Sequence, residues 1–289
     1  MATVIDRVEM ADGGWRDRRS ALRLAVKAAK ACLDGAGRAP QDVDLLINAG
    51  IYRDRNLGEP ALAAMIQQDI HANPEDPHPG SHGTFSFDVV NGSCGVLTAL
   101  KIADGFFRSG AIDCALVVAS DADPGHGMSE RFPFSPTGAA LLCTWTDDDR
   151  GLGPVYWANR PVAPETFRAT VGLVDHRNVL RFDVSADADE VFADAATQAA
   201  RRCLSASSTT IEGVDAVVAA PAGPGYAARL AAGLGVPTER IIFADDERTH
   251  TASLPSALAV ALRTAQPGAR LLLVTAGAGG VAAAAMYRV

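Results

Sequence analysis

The chain has 289 residues, 48% hydrophobic and 21% charged, with 26 Lys and Arg against 34 Asp and Glu, a net charge of -8. That composition suits one large domain or two fused halves with a close-packed interior, and it argues against a disordered chain. An acidic balance without a long basic block removes nucleic acid from the expected partners, and no apolar run reaches the roughly 20 residues of a membrane-crossing helix.

Residues 1–15 mix acidic, apolar and polar side chains and lack the pattern of a secretory signal, so a cytoplasmic setting is expected. The five cysteines, Cys32, Cys94, Cys114, Cys143 and Cys203, have no metal-ligand spacing, and buried reduced thiols are expected. An apolar-faced helix over 28–33, a polar loop and a buried strand over 43–47 follow. The same sequence of elements recurs at 199–204 and 214–218. A second match joins Ala99-Leu100 and Gly110-Ala111 to Ala257-Leu258 and Gly268-Ala269, each helix feeding a continuous apolar strand, 115–119 and 271–275. Continuous apolar strands indicate sheets covered on both faces. Two matches in the same order indicate duplication, with a first half over 1–155 and a second over 163–289.

The stretch Phe87-Asp88-Val89-Val90-Asn91-Gly92-Ser93-Cys94-Gly95, with Ala99-Leu100, Ser109-Gly110-Ala111 and the strand running to Ser120-Asp121, carries a family likeness. It closely resembles the nucleophile segment of ketoacyl synthase III and its thiolase-fold relatives. The closing Ala276-Gly277-Ala278-Gly279-Gly280 resembles the family's glycine-rich final hairpin, and the resemblance covers nearly the whole chain. It implies an α/β thiolase fold, two pseudo-repeated halves in a layered αβαβα sandwich. One central helix would start just after Ser93 and the other after Leu254. It also implies acyl-CoA as substrate, no further cofactor, and dimerisation by sheet extension through residues 85–90. The segment before the first helix is shorter than in that family, where it helps to hold coenzyme A.

In an ungapped alignment the family's catalytic cysteine falls on Ser93, and Cys94 sits one residue late. A strand, a glycine turn and a helix place this side chain at a helix N-terminus, where a thiol ionises more easily. A serine hydroxyl is far less acidic and gains little there without a base. Ser93, a degenerate nucleophile position, is therefore either a retooled nucleophile or a relic. Cys94 points about 100° away around the helix unless the elbow shifts. The resemblance also puts a histidine where this chain has Ala220, and an asparagine near His250, in a loop about two residues shorter. His250 is either a ligand-orienting group or a loop histidine.

Tyr52-Arg53-Asp54-Arg55-Asn56-Leu57-Gly58-Glu59-Pro60 resembles the Arg…Glu-Pro motif of OleA-type enzymes, which join two acyl-CoA chains without decarboxylation. In that group the glutamate crosses the dimer interface and acts as base on the α-carbon of the second acyl thioester. The resemblance assigns that role to Glu59, with Arg53 as its companion. A carboxylate partly buried in an acyl channel becomes a stronger base; a plain helix-start glutamate is the competing reading. His71, His78 and His82 fall in and around a proline-rich loop, His126 in a glycine-containing loop, and Asp147-Asp148-Asp149 in turn chemistry; none implies a metal.

Three functions follow from these residues. The first is one subunit of a heterodimeric condensing enzyme, donating Glu59 to a cysteine-bearing ketoacyl synthase III-like partner and inactive alone. The second is a stand-alone acyltransferase using Ser93 or Cys94 with His250 as base. The third is a non-catalytic scaffold.

Overall fold

The computed structural model describes residues 1–15, 17–73, 83–125, 127–160 and 166–289. The first half runs β1 (Ala2–Asp12), α1 (Ala21–Ala36), β2 (Leu45–Asn48), α2 (Leu62–Ile70), β3 (Phe85–Asp88), α3 (Gly95–Arg108), β4 (Ala115–Asp121) and β5 (Thr137–Thr146). A short β6 (Gly151–Leu152) links it to β7 (Tyr156–Asn159) and a hairpin, β8 (Phe167–Val174) and β9 (Arg177–Val184). The chain continues through α4 (Ala188–Ala206), β10 (Ala216–Ala220), α5 (Pro224–Leu234), β11 (Ile241–Ile242), α6 (Ser253–Leu262), β12 (Arg270–Gly277) and β13 (Val281–Arg288).

The duplication is explicit in the strand order. The first half reads β3-β2-β4-β5-β1 and the second β11-β10-β12-β13-β7, with β6 bridging β1 and β13. In each half two strands flank a third in parallel (β3 and β4 about β2, β11 and β12 about β10), and the last long strands return antiparallel. Helix α1 buries Ala21, Leu24, Ala25, Ala28, Ala29, Cys32 and Leu33, the three-and-four spacing of a one-sided helix. Ser20 caps its start and Gly37, in the left-handed region, ends it.

Alternation along the strands divides the interior into three cores. Leu45, Ile47, Val117, Leu271 and Leu273 face a central layer that holds α3 and α6. Leu46, Leu116 and Val118 face α1 and α2, and Leu272 and Val274 face α4 and α5. Five layers result, helix-sheet-helix-sheet-helix, which is the thiolase layout. The central helices sit between two sheets, and small residues such as Gly95, Ala99, Ala103, Ala257 and Ala261 alternate with Leu and Val on their buried faces. A side chain at Gly95 would begin 3.2 Å from Ala49, too close for the tight start of α3.

Two details differ from the sequence expectation. The strand before the nucleophile position ends at Asp88 rather than continuing to Val90, its last ladder bond running from the Val89 amide to the Asn48 carbonyl, and the Asp88 carboxylate accepts the Leu62 and Ala63 amides at the start of α2. The β8–β9 hairpin has no counterpart in the first half. Its turn places Asp175 and His176 at positive φ, the geometry of a two-residue connection.

The central layer makes a sharp prediction. Leu100 lies fully buried in α3 between both sheets. Leu100→Ala is expected to lower unfolding stability by about 2–5 kcal/mol, read as a shift of the urea midpoint with unchanged slope.

Candidate active site

The residues at the N-terminal ends of α3 and α6 meet at one cavity of about 600 Å³. Its lining includes Val90, Ser93, Phe134, Phe167, Phe192 and His250. Apolar side chains dominate the lining, and Asn91, Arg168, Asp189 and Glu247 add polar groups to Ser93 and His250.

The elbow turns through Gly92 at φ 52, in the left-handed region, into a single 3₁₀ turn and then α3. Ser93 is almost entirely buried, and its hydroxyl donates to the carbonyl of Ala276 on β12. Among the described residues no hydrogen bond joins Ser93 to His250. Cys94 lies fully buried behind the elbow and outside the cavity lining, its thiol donating to the Val281 carbonyl at 3.6 Å. Burial pushes that thiol up to about 12, against a smaller lowering by the Thr275 hydroxyl. Ala220, where the family resemblance expects a histidine, is buried at the end of β10 and offers no proton-transfer group.

His250 reaches the cavity from the loop before α6. Its ring stacks on Phe134 at 4.2 Å between centroids and lies 5.2 Å from Tyr52. Its Nδ1 lies 3.4 Å from Asp121 Oδ2, an ion-pair distance without a closed hydrogen bond. Nε2, on the opposite edge of the ring, lies 4.0 Å from where a side chain at Gly92 would begin. Asp121 ends β4 and is buried. It accepts from the Ile51 and Tyr52 amides at 3.3 and 3.0 Å, and from the Thr251 amide and hydroxyl at 2.8 and 2.6 Å. Burial alone would raise its pKa; the contacts from His250, Thr251 and Tyr52 outweigh that and lower it. The sequence names Asp121 only as the end of the family-like strand and gives it no place in the site. Its only signal is a charged side chain closing an otherwise apolar strand.

Glu59 stands apart. It is exposed on the loop before α2 and does not line this chain's cavity. Arg53, half-buried, pairs with Asp88 at 3.1 Å and reaches the Gly58 carbonyl at 3.4 Å. Asp88 also receives Asn48 Nδ2 at 3.1 Å. Arg53 thus braces the backbone next to Glu59. The structure brings Ser93 and His250 to one cavity, holds Cys94 behind it, and leaves Arg53 and Glu59 on its outer side.

Of the remaining candidates, His71 ends α2 in the left-handed region. Asp148 closes a turn with Arg150, and Asp149 pairs with Arg288, which accounts for that acidic run. His78, His82 and His126 lie outside the described residues. Among the described residues no cluster of ligating side chains could hold a metal, and no helix is long and apolar enough to cross a membrane.

Two predictions follow from these environments. All five cysteines are free and buried. Burial pushes Cys94, Cys32 and Cys114 up to about 12 and Cys203 to about 11, and raises Cys143 as well. At pH 8 roughly 1 in 10⁴ of a thiol titrating near 12 is thiolate, so the native chain is expected to resist a disulfide thiol reagent until denatured. Asp121 titrates below its ordinary 3.8 when folded. Its contribution to stability is therefore complete above that value and drains away as the pH falls through the depressed one. Acid unfolding of Asp121→Asn, followed by circular dichroism, is expected to lose that part of the pH dependence.

Comparison with known proteins agrees with this geometry. Residues 204–289 match the family model for the C-terminal part of 3-oxoacyl-[acyl-carrier-protein] synthase III. A β-ketoacyl-[acyl-carrier-protein] synthase III of Rhizorhabdus wittichii is 29% identical over 277 residues, 92% of this chain and 83% of that one. Its namesake in Sphingopyxis alaskensis is 27% identical over 100% of this chain and 94% of its own. Among solved structures, the 3-oxoacyl-[acyl-carrier-protein] synthase III of Aquifex aeolicus superposes with a TM-score of 0.82 at 20% identity, covering 100% of both chains. A variant of OleA from Xanthomonas campestris also superposes with a TM-score of 0.82, at 15% identity over 100% of this chain and 99% of that one. This chain therefore has a thiolase fold, and its relatives by sequence are the ketoacyl synthase III condensing enzymes.

Proposed function

We propose that this chain is one subunit of a heterodimeric condensing enzyme that joins two fatty acyl-CoA chains without decarboxylation, and that it donates Glu59 as general base to a cysteine-bearing partner. The observation that supports this reading is a division within the chain. Its own elbow carries a hydroxyl committed to the Ala276 carbonyl and an alanine in place of the family's histidine. Its glutamate instead stands exposed on a braced loop outside that cavity.

The surface around Glu59 suits an interface. Among the described residues β3 ends the strand order with one edge unpaired, and Phe85 and Val90 are 58% and 67% exposed beside it. An open edge carrying large apolar side chains is an association site unless covered. Sheet extension through β3 by a partner of the same fold covers it.

In this reading the partner's cysteine holds the first acyl chain as a thioester. The Glu59 carboxylate removes a proton from the carbon next to the carbonyl of the second acyl-CoA. That carbon attacks the acyl-cysteine; the carbon–carbon bond forms, the carbon–sulfur bond breaks, and the thiolate returns to the cysteine. The product is a 3-keto acyl thioester. No metal or redox cofactor enters the balance.

Co-expression with a cysteine-bearing homologue, followed by a condensation assay with acyl-CoA, tests this. The mixture is expected to be active and each chain alone inactive. Glu59→Gln is expected to lower the rate by about 10²–10⁴-fold, the usual worth of a general base, while the two chains still co-purify. Condensation by this chain alone, or an unchanged rate in Glu59→Gln, overturns the reading.

A further inference from the structure

The Asp121–His250 pair has no part in the condensation just described, yet His250 lines this chain's own cavity with Asp121 behind it at 3.4 Å. We propose that this cavity is a second site that cleaves acyl thioesters, with His250 activating a water molecule and Asp121 positioning His250.

The argument starts from the histidine. Contact of Nδ1 with an aspartate selects the tautomer with its proton on that nitrogen and leaves the Nε2 lone pair free. Nε2 lies on the Gly92 side of the ring, at the elbow that lines the cavity. Stacking on Phe134, with Tyr52 and Phe167 at 5.2 and 6.2 Å, fixes the ring plane. The 3.4 Å separation from Asp121 is loose for a hydrogen bond, as catalytic contacts commonly are before ligand binds. Asp121 is held ionised by its four donors, so a positive charge arising on His250 meets a fixed negative one.

The ligand class follows from the lining. Val90, Phe134, Phe167 and Phe192 suit an acyl chain, Arg168 is a cation in the same lining for an anionic head group, and a thioester carbonyl placed at the elbow would face His250. Water is the acceptor because Ser93 is engaged elsewhere, its hydroxyl donating to Ala276 rather than to His250. The water oxygen attacks the thioester carbonyl carbon as His250 Nε2 takes its proton. The tetrahedral intermediate collapses, the carbon–sulfur bond breaks, and the proton passes from His250 to the leaving thiolate. A carboxylic acid and a free thiol result, and water is the only co-reactant.

This site does not depend on the role proposed for Glu59, because its assay needs neither a partner nor carbon–carbon bond formation. Purified chain is mixed with octanoyl-CoA and the released coenzyme A thiol is followed colorimetrically, with octanoate identified by mass spectrometry. The expected result is catalysed thiol release whose kcat falls about a hundredfold in His250→Gln, with KM and melting temperature held. Asp121→Asn is expected to lower kcat without raising KM. His71→Asn, at the exposed end of α2, is expected to change nothing. Release no faster than in buffer, or release that survives His250→Gln, overturns the proposal. An octanoyl ester accumulating on Ser93 overturns the water step.

Discussion

The buried carboxylate of Asp121 is the constraint on which the site depends. A charge removed from water costs several kcal/mol unless donors replace its hydration. Here the donors come from two places. Ile51 and Tyr52 belong to the loop after β2 in the first half; Thr251 belongs to the loop before α6 in the second, where His250 adds a contact at ion-pair distance. One carboxylate therefore clamps together loops from both halves of the duplication. The position of Tyr52 follows from that clamp. So does the aromatic group around it, with Phe132, Phe134 and Phe182 at 5.2–5.7 Å, which carries the β8–β9 hairpin over the cavity. An apolar residue at 121 would leave those loop amides buried without acceptors, so the clamp is specific in chemistry as well as in place.

The elbow separates geometry from chemistry. Its backbone keeps what a nucleophile requires: a left-handed glycine at 92, a close packing of Gly95 on Ala49, and a side chain at the start of α3. A helix N-terminus stabilises an anion by at most about 2 kcal/mol. That helps a thiol near neutrality and does little for an alcohol. Cys94 has the right chemistry in the wrong place, since full burial raises its pKa against any help from the helix. The fold retains the elbow because α3 is half of the central layer, and its start is fixed by packing whether or not the side chain at 93 reacts.

The architecture was open to sequence reading because duplication doubles every signal. Val43 to Ile47 and Val214 to Val218 are read twice in the same register, and β2 and β10 do occupy equivalent positions. Continuous apolar runs at β4 and β12 state that both faces are covered. The β8–β9 hairpin was not legible in the same way. It has no repeat partner, and its alternation of Val171, Leu173 and Leu180 with polar residues is short. At the site, Ser93, Cys94, Ala220 and Glu59 could be picked out because a family pattern numbers them. Asp121 could not, because its role comes from donors 70 and 130 residues away, a separation that carries no local pattern. Arg53 was legible as a companion of Glu59 but not as a partner of Asp88, for the same reason.

That last pairing bears on the order of the loop that carries Glu59. A side chain on a free loop loses conformational entropy when it is fixed, roughly 1–2 kcal/mol for each backbone residue ordered. The loop that carries Glu59 has been ordered in advance. Asp88 sits at its centre, accepting from the first amides of α2 on one side, from Asn48 on another and from Arg53 on the third. Arg53 then holds the Gly58 carbonyl, one residue before the glutamate. The constraint reaches the backbone and stops there, leaving the Glu59 side chain exposed. The same contacts cap the first amides of α2, so the brace also anchors the start of that helix. In the role proposed for Glu59, the same brace lowers the entropy lost when the carboxylate is oriented on a substrate.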